Sequence, residues 1–296
     1  MTLNPWRLRL LCQLEALGTV RAVAAAAHQS ASSVSQQLAV LESETGARLL
    51  ERTGRRVQLT STGHLLASRA RDILDRMADA EAELRALGQD PSGVVRVAAF
   101  QSAIHSLVVP ATVALRLAHP GVEVHIDELE PHESTSALLR GDVDIAVTTT
   151  DFLDAPRHPD VHLVPLRTDA IVVVVPPGHR VARQERVDLA ALADEDWAFD
   201  LPGTYMDDLA TRLCRQAGFE PRVVGRFNNY LIALQHVESA GSVTLLPELA
   251  VDPRYAVVAR DLVPPTYRRI TAAIRSSSAA RASVTVVLDA LSGAPA

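Results

Sequence analysis

The stretch Ser61–Leu87 constrains this chain more than any other. Its apolar residues Leu66, Ala70, Ile73, Met77, Ala80, Leu84 and Leu87 step by 4, 3, 4, 3, 4 and 3. That spacing keeps them on one stripe of a helix, with Arg, Asp and Glu on the remaining faces. At the usual rise such a helix is roughly 40 Å long. A thin stripe on so long a helix calls for a partner helix. Leu66, Ala70, Ile73, Met77, Ala80 and Leu84 are therefore expected to form a dimerisation seam, the alternative being packing against the chain's own domain. The helix also divides the 296 residues into a short head and a long body, in keeping with two or three domains.

The head reads as three helices and a hairpin. Pro5–Leu17 carries Trp6, Leu10, Leu14 and Leu17 at helical steps and ends at Gly18. Thr19 can cap Val20–Ala27, a short helix of small apolar residues read as buried on most sides. His28-Gln29 makes a tight turn, and Ser30 caps Ala31–Thr45, which Gly46 stops. Two short helices joined by a tight turn, the second opening on small polar residues, form a helix-turn-helix. The Thr53-Gly54 turn and the alternating run Val57-Gln58-Leu59-Thr60 add a wing. In such a unit the helix after Ser30 enters the major groove. Ser30, Ser32, Ser33, Ser35 and Gln36 can meet base edges there, Gln37 can reach base or phosphate, and Val34, Leu38 and Leu41 face the core. Arg52, Arg55 and Arg56 cluster at the wing as phosphate or minor-groove contacts.

A net charge of −6 argues against nucleic acid only when the chain is averaged. Residues 1–60 carry seven Arg against four acidic residues, whereas residues 89–296 carry 18 Arg against 26. A basic head on an acidic body indicates separate tasks. No apolar run is long enough to span a bilayer, and the N-terminus lacks the apolar core of a signal peptide. The two cysteines, Cys12 and Cys214, form no disulfide or metal pattern, which fits a reducing, cytoplasmic setting. Cys214 is read as an inert packed thiol. His158-Pro159-Asp160-Val161-His162 has two metal-spaced histidines but no third firm ligand, so neither metal nor other cofactor is expected.

After the loop Gly88–Gly93 the pattern alternates strand and helix. Val94–Ala99, Val122–Leu129 and Ile145–Thr148 read as strands, with helices Ser102–His119 and Glu133–Arg140 between them. A second set follows, from strand Ala170–Val175 through helix Tyr205–Ala217, strand Arg222–Val224 and helix Asn229–Ala240 to strand Val243–Leu246. Arg269–Ile274 and helix Ser283–Leu291 return to the first set. The expected body is two α/β lobes around a largely parallel sheet, with a cleft between them.

Several stretches together resemble the LysR-type transcriptional regulators. These are Ala22–Leu41, Glu42–Thr60, Ser61-Thr62-Gly63 and, downstream, His119–Val124, Gly141-Asp142 with Asp144-Ile145-Ala146, and Ala240–Val243 followed by Leu245-Leu246-Pro247. They cover nearly the whole chain in order. The resemblance implies an α+β multidomain chain: a winged helix-turn-helix over 1–60, a linker and dimerisation helix over 61–88, a hinge over 89–93, and a two-lobed effector domain over 94–296 like a periplasmic binding protein. Lobe I would hold 94–166 and 269–296, lobe II 167–268. It implies homodimers or homotetramers, with double-stranded promoter DNA, a small-molecule effector and RNA polymerase as partners, no membrane and no enzymatic activity. Ser32 stands where the family often has Pro, Gln36 where many members have Arg or Lys, and Val23–Ala27 is unusually small and apolar. These departures bear on base preference and not on the fold.

Ligands of open α/β sheets sit beyond the carboxyl ends of strands, and helix N-termini there favour carboxylates. Family resemblance makes Ser102 the first pocket residue, beside Phe100 and Gln101. Facing candidates are Thr148, Thr149, Pro202, Gly203, Thr204, Asn228 and Asn229. The expected effector is small, polar and anionic. Alternatives are a DNA-binding regulator without ligand response, a solute-binding protein, and an enzyme with Ser102 as nucleophile. The last lacks a Gly-x-Ser-x-Gly elbow.

Overall fold

A computed structural model describes residues 3–53, 56–85, 91–149, 161–279 and 281–293. The chain divides into two compact units, Met1–Gly93 with Leu139–Asp142, and Val94–Leu138 with Val143–Ala296.

The head opens with α1 (Pro5–Leu17), α2 (Val20–Ala26) and α3 (Ala31–Thr45). Each begins on a side-chain cap: Asn4, Thr19 and Ser30 accept from Trp6 N, Ala22 N and Ser33 N. Gly18 and Gly46 end α1 and α3 in the left-handed conformation. The buried face of α1 is Leu8, Leu10, Leu11 and Leu14, while Trp6 and Leu17, expected inside, are exposed. Only Val23 and Ala24 of α2 are buried; Val20 packs half-buried against the same core, and Ala25 and Ala26 are exposed. Val34, Leu38 and Leu41 close the core from α3.

Strands β1 (Leu50–Thr53) and β2 (Arg56–Leu59) pair antiparallel, with Thr53 opposite Arg56. The Glu42 carboxylate fixes the approach to β1 by accepting from Leu49 N and Leu50 N at 2.8 and 3.0 Å. Thr60 caps α4 (Ser61–Arg85) through Gly63 N. A Cβ on Gly63 would lie 2.2 Å from the Leu49 carbonyl oxygen, so only glycine allows this approach.

The expected dimer seam divides along α4. Ala67 and Ala70 are fully buried in the head's own core, with Leu66 and Leu74 packed against it. For Ala70 the expectation is corrected, because the head's own core encloses it, while Leu66 is half-buried at the edge of that core. Ile73, Met77 and Ala80 are exposed. The Leu84 side chain and all of Leu87 lie outside the described residues.

In the body, β3 (Gly93–Ala99) leads into α5 (Gln101–Ala103), which passes through a π-helical turn (Ile104–Val108) into α6 (Val109–Ala118). Then come β4 (Val122–Glu128), α7 (Pro131–Arg140) and β5 (Ile145–Thr149). Two long strands, β6 (Val161–Val175) and β11 (Val258–Arg275), pair antiparallel along nearly their whole length. Between them lie β7 (Arg186–Asp188), β8 (Asp196–Phe199), α8 (Tyr205–Gln216), β9 (Arg222–Arg226), α9 (Tyr230–Ala240) and β10 (Thr244–Pro247), and α10 (Ala282–Ser292) follows. The main sheet runs β10-β6-β11-β5-β3-β4, with β7 beside β11, and β8 and β9 form a second small sheet.

The largely parallel sheet is thus corrected. β3 pairs β5 in parallel, but β6 pairs β10 and β11, and β11 pairs β5, all antiparallel. The long strands run from one lobe into the other. Val164, Leu166, Ile270, Ala272 and Ile274 belong to the first core, and Ile171, Val173, Val175 and Leu262 to the second. Their register slips where they change lobes, between Asp261 and Thr266 and between Ile270 and Thr271. Pro165, which in an uninterrupted strand would cost a ladder bond, sits at one of these slips.

Candidate nucleic-acid interface and ligand cavity

On α3 the residues Ser32, Ser35, Gln36 and Ala39 are exposed and lie at i, i+3, i+4 and i+7, one face of the helix. Val34, Leu38 and Leu41 occupy the opposite face and are at most 1% exposed. The sequence-predicted readers differ in how they are engaged. Ser30 Oγ accepts from Ser33 N and shares a hydrogen bond with Ser32 Oγ, and Ser33 Oγ donates to Gln29 Oε1. Gln37 Oε1 accepts from Arg7 Nε at 3.0 Å, which ties α3 to α1. Ser35 and Gln36 make no side-chain hydrogen bond among the described residues and are open to solvent. Arg55 lies outside the described residues, as do the side chains of Arg52 and Arg56. Arg21 and Arg48, not singled out from the sequence, are exposed on α2 and before β1.

The body holds a cavity of about 620 Å³, within the usual size of small-molecule sites. Of the residues expected to face a ligand, Gln101, Ser102 and Asn229 line it. The π-helical turn supplies His105 and Ser106, and α6 supplies Pro110. β6 contributes Arg167, α9 Tyr230 and Leu231, and the segment after β10 Glu248–Pro253. Extra-residue turns of this kind recur at functional sites, because they break the helical register and re-aim side chains.

Much of the wall is tied together. Gln101 Nε2 donates to the Asn228 carbonyl and Gln101 Oε1 accepts from Tyr230 N at 3.0 Å, so one amide joins the lobes. Ser106 Oγ donates to the Leu249 carbonyl. Asp252 is bound by Arg254, which holds its carboxyl down at about 2. Ser102 is buried and accepts from Arg268 Nη2 at 2.6 Å. The only hydrogen bond of its hydroxyl among the described residues is to a permanent cation. A nucleophilic serine needs a base, so the enzyme alternative has no support in this geometry.

The other expected residues do not line the cavity. Phe100 lies under the Arg268 guanidinium, 4.7 Å from ring centre to Cζ. Thr148 Oγ1 donates to the Pro131 carbonyl, and Thr149 is fully buried. Thr204 caps α8, and Pro202 and Gly203 are exposed before it. Asn228 contributes only its carbonyl to Gln101. On this side the chain's own Glu130 carboxylate occupies the α8 N-terminus, accepting from Tyr205 N at 3.0 Å. Burial pushes nearby Asp200 up to about 6, and repulsion from Glu130 and Asp207 adds to it. Cys214 is buried in the lobe II core, and burial pushes its thiol up to about 12. Among the described residues no group of three His, Cys, Asp or Glu side chains could hold a metal ion, and no helix is long and apolar enough to cross a membrane.

Two family descriptions match the chain: "Bacterial regulatory helix-turn-helix protein, lysR family" over residues 6–64 and "LysR substrate binding domain" over residues 88–295. The DNA-binding transcriptional dual regulator OxyR of Escherichia coli is 29% identical over 254 residues, covering 84% of this chain and 81% of that protein. Full-length OxyR of Pseudomonas aeruginosa superposes with a TM-score of 0.78 at 22% identity, covering 99% of both chains. Full-length CbnR in complex with its target DNA superposes with a TM-score of 0.63 at 21% identity, covering 99% of this chain and 100% of that one. Head, helix and two-lobed body thus match known regulators from end to end, and the chain belongs to the LysR family of DNA-binding transcriptional regulators.

Proposed function

We propose that this regulator binds promoter DNA as a homodimer and that a small anionic metabolite in the body cavity modulates its activity. The cavity carries the ligand half of this reading: it takes wall residues from both lobes, Arg167 among them, so a ligand there touches both at once. A molecule that binds one arrangement of the lobes better than another shifts the balance between them. The α3 face of Ser32, Ser35 and Gln36 supports readout in the major groove, with Arg52, Arg55 and Arg56 as phosphate contacts. The dimer reading rests on Ile73, Met77 and Ala80, which α4 leaves exposed at heptad spacing. RNA polymerase and a tetrameric assembly belong to the same proposal through the family.

The test is fluorescence anisotropy of the full chain on its own upstream region, with and without compounds from a thermal-shift panel. Anionic compounds are expected to raise the melting temperature and to change DNA affinity or footprint. A panel that responds only to cationic or purely apolar compounds overturns the anionic ligand. A second reading, regulation without a ligand, is favoured by Gln101 and Glu130, which already bridge the lobes. A panel without any response supports it.

A further inference from the structure

Arginines tie distant elements together in both the body and the head. In the body, Arg268 on β11 faces Asp169 on β6, with both side chains 1% exposed. Its Nε and Nη2 donate to Asp169 Oδ2 at 2.9 and 2.6 Å. In the head, Arg7 on α1 reaches across to α3. Its Nε donates to Gln37 Oε1 at 3.0 Å and its Nη1 to Glu44 Oε1. Gln37 and Glu44 stand seven residues apart, two turns along one flank of α3. All three side chains are half-buried. Among the described residues this is the one polar side-chain link between α1 and α3. The remainder is apolar: Leu8, Leu10, Leu11 and Leu14 share a core with Val34, Leu38 and Leu41.

The composition of α3 places a high demand on that link. The helix carries no Arg or Lys, and its exposed face holds Ser32, Ser35, Gln36 and Ala39. A serine hydroxyl stands one bond beyond Cβ, so it cannot follow a base edge once the helix has turned away. It lies about 4 Å from the helix axis, and a rotation of about 20° shifts it by more than about 1 Å. The whole span of good hydrogen-bond distances is only about 0.5 Å. Apolar packing is non-directional. A guanidinium that donates at two levels of one flank opposes both rotation and sliding, because each bond has a preferred direction. Glu42 anchors α3 separately to the β1 backbone, so loss of Arg7 leaves the helix attached to the wing.

We infer that Arg7 is a positioning residue for DNA readout: it fixes the rotation and height of α3, and thereby where Ser32, Ser35 and Gln36 stand in the major groove. It acts through Gln37 and Glu44 and not by touching a base. Sequence discrimination therefore depends on a residue of α1, one helix removed from the reading face. The inference rests on α3 being the element that enters the groove, as proposed above.

Site selection from a random duplex library with the full chain supplies a preferred duplex, and fluorescence anisotropy compares it with a scrambled one. Arg7→Ala is expected to lower the ratio of specific to non-specific affinity by about ten- to a hundredfold. Non-specific affinity and its salt slope are expected to stay unchanged. Glu44→Ala, off the reading face, is expected to lower the ratio in the same way. In a Gln36→Ala background, Arg7→Ala is expected to cost less than in the wild type, because one of the side chains it places is gone. A general loss of stability lowers the melting temperature without producing that coupling. Arg7→Met combined with Glu44→Gln, which removes both charges together, serves if Arg7→Ala fails to fold, and the same fall in the ratio is expected. An unchanged ratio, or additivity with Gln36→Ala, overturns the inference. So does a salt slope reduced by about one at an unchanged ratio, which makes Arg7 a phosphate contact instead. If Gln36→Ala itself leaves both the selected sequence and the ratio unchanged, α3 is not the reader, and the reading beneath the inference fails with it.

Discussion

The α3 face and the cavity wall treat polar side chains in opposite ways. On α3, Ser35 and Gln36 point to solvent with no partner among the described residues. In the cavity, Gln101, Ser106, Ser102 and Asp252 are all held by other parts of the chain. The uncommitted side chains of α3 lose rotamer freedom only when they meet a partner. The wall has already lost it during folding, which is what preorganisation means for affinity. The first arrangement suits a long partner of fixed geometry whose phosphates supply most of the binding. The second suits a small ligand with few contacts to offer, each of which must be in place beforehand.

Mutations can break this contrast. The largest effect is expected at the most committed group. Asp169→Ala strands the Arg268 charge in the interior and should cost about 3–5 kcal/mol of stability in chemical denaturation. Asp169→Ala with Arg268→Met should cost less than Asp169→Ala alone, and a double variant no better than the single would show that the pair itself is worth keeping. On the uncommitted face, Gln36→Ala should leave stability within about 0.5 kcal/mol. It should instead remove about 1–3 kcal/mol of discrimination at one base per half-site, read by site selection. A lower melting temperature with an unaltered base profile would give Gln36 a structural role.

Asp200 offers a smaller effect between these two. Burial raises its carboxyl from 3.8 to about 6, so the folded chain holds the proton more tightly than the unfolded one. Its stabilising contribution is complete below 3.8 and is lost as pH rises through about 6. Asp200→Asn should flatten the stability profile over that window, and an unchanged profile would exclude Asp200 as its source. At the wing, Arg55→Ala should reduce the slope of log affinity against log salt by about one, with base preference unchanged. The smallest effect is expected at Cys214. Held protonated by burial, it should resist iodoacetamide at neutral pH while half-buried Cys12 reacts.

The head was legible from its sequence because its signals are local. Thr19, Ser30, Gly18 and Gly46 mark helix ends within a few residues of the groups they cap. The role of α4 was legible only in part. A heptad stripe reports which face is apolar but not what covers it, and Ala67 and Ala70 turn out to be covered by the head's own core. In the body, β6 was recognised only from Ala170 onward, since Pro165 and the mixed run Val161–Asp169 lack a strand's alternation. Ser102 and its neighbour Gln101 were legible through the family resemblance, and Asn229 through its place at a helix start. Arg268 and Asp169, 99 residues apart, meet only because two long strands run antiparallel. Glu248–Pro253 carries no helical or strand period to mark it as a cavity wall.

The π-helical turn at Ile104–Val108 gives the cavity wall a definite rotational setting. A helix is a screw, and each residue turns it by roughly 100°. The turn inserts one residue between Gln101–Ala103 and Val109–Ala118. Deleting a single residue there would restore an unbroken helix and swing Gln101 and Ser102 around its axis. One would leave the lobe II backbone it joins, and the other the guanidinium whose hydrogen bond it accepts. Length at this point is therefore as much a part of the site as identity, and relatives that share these residues but not the extra one would present a different wall to their ligands.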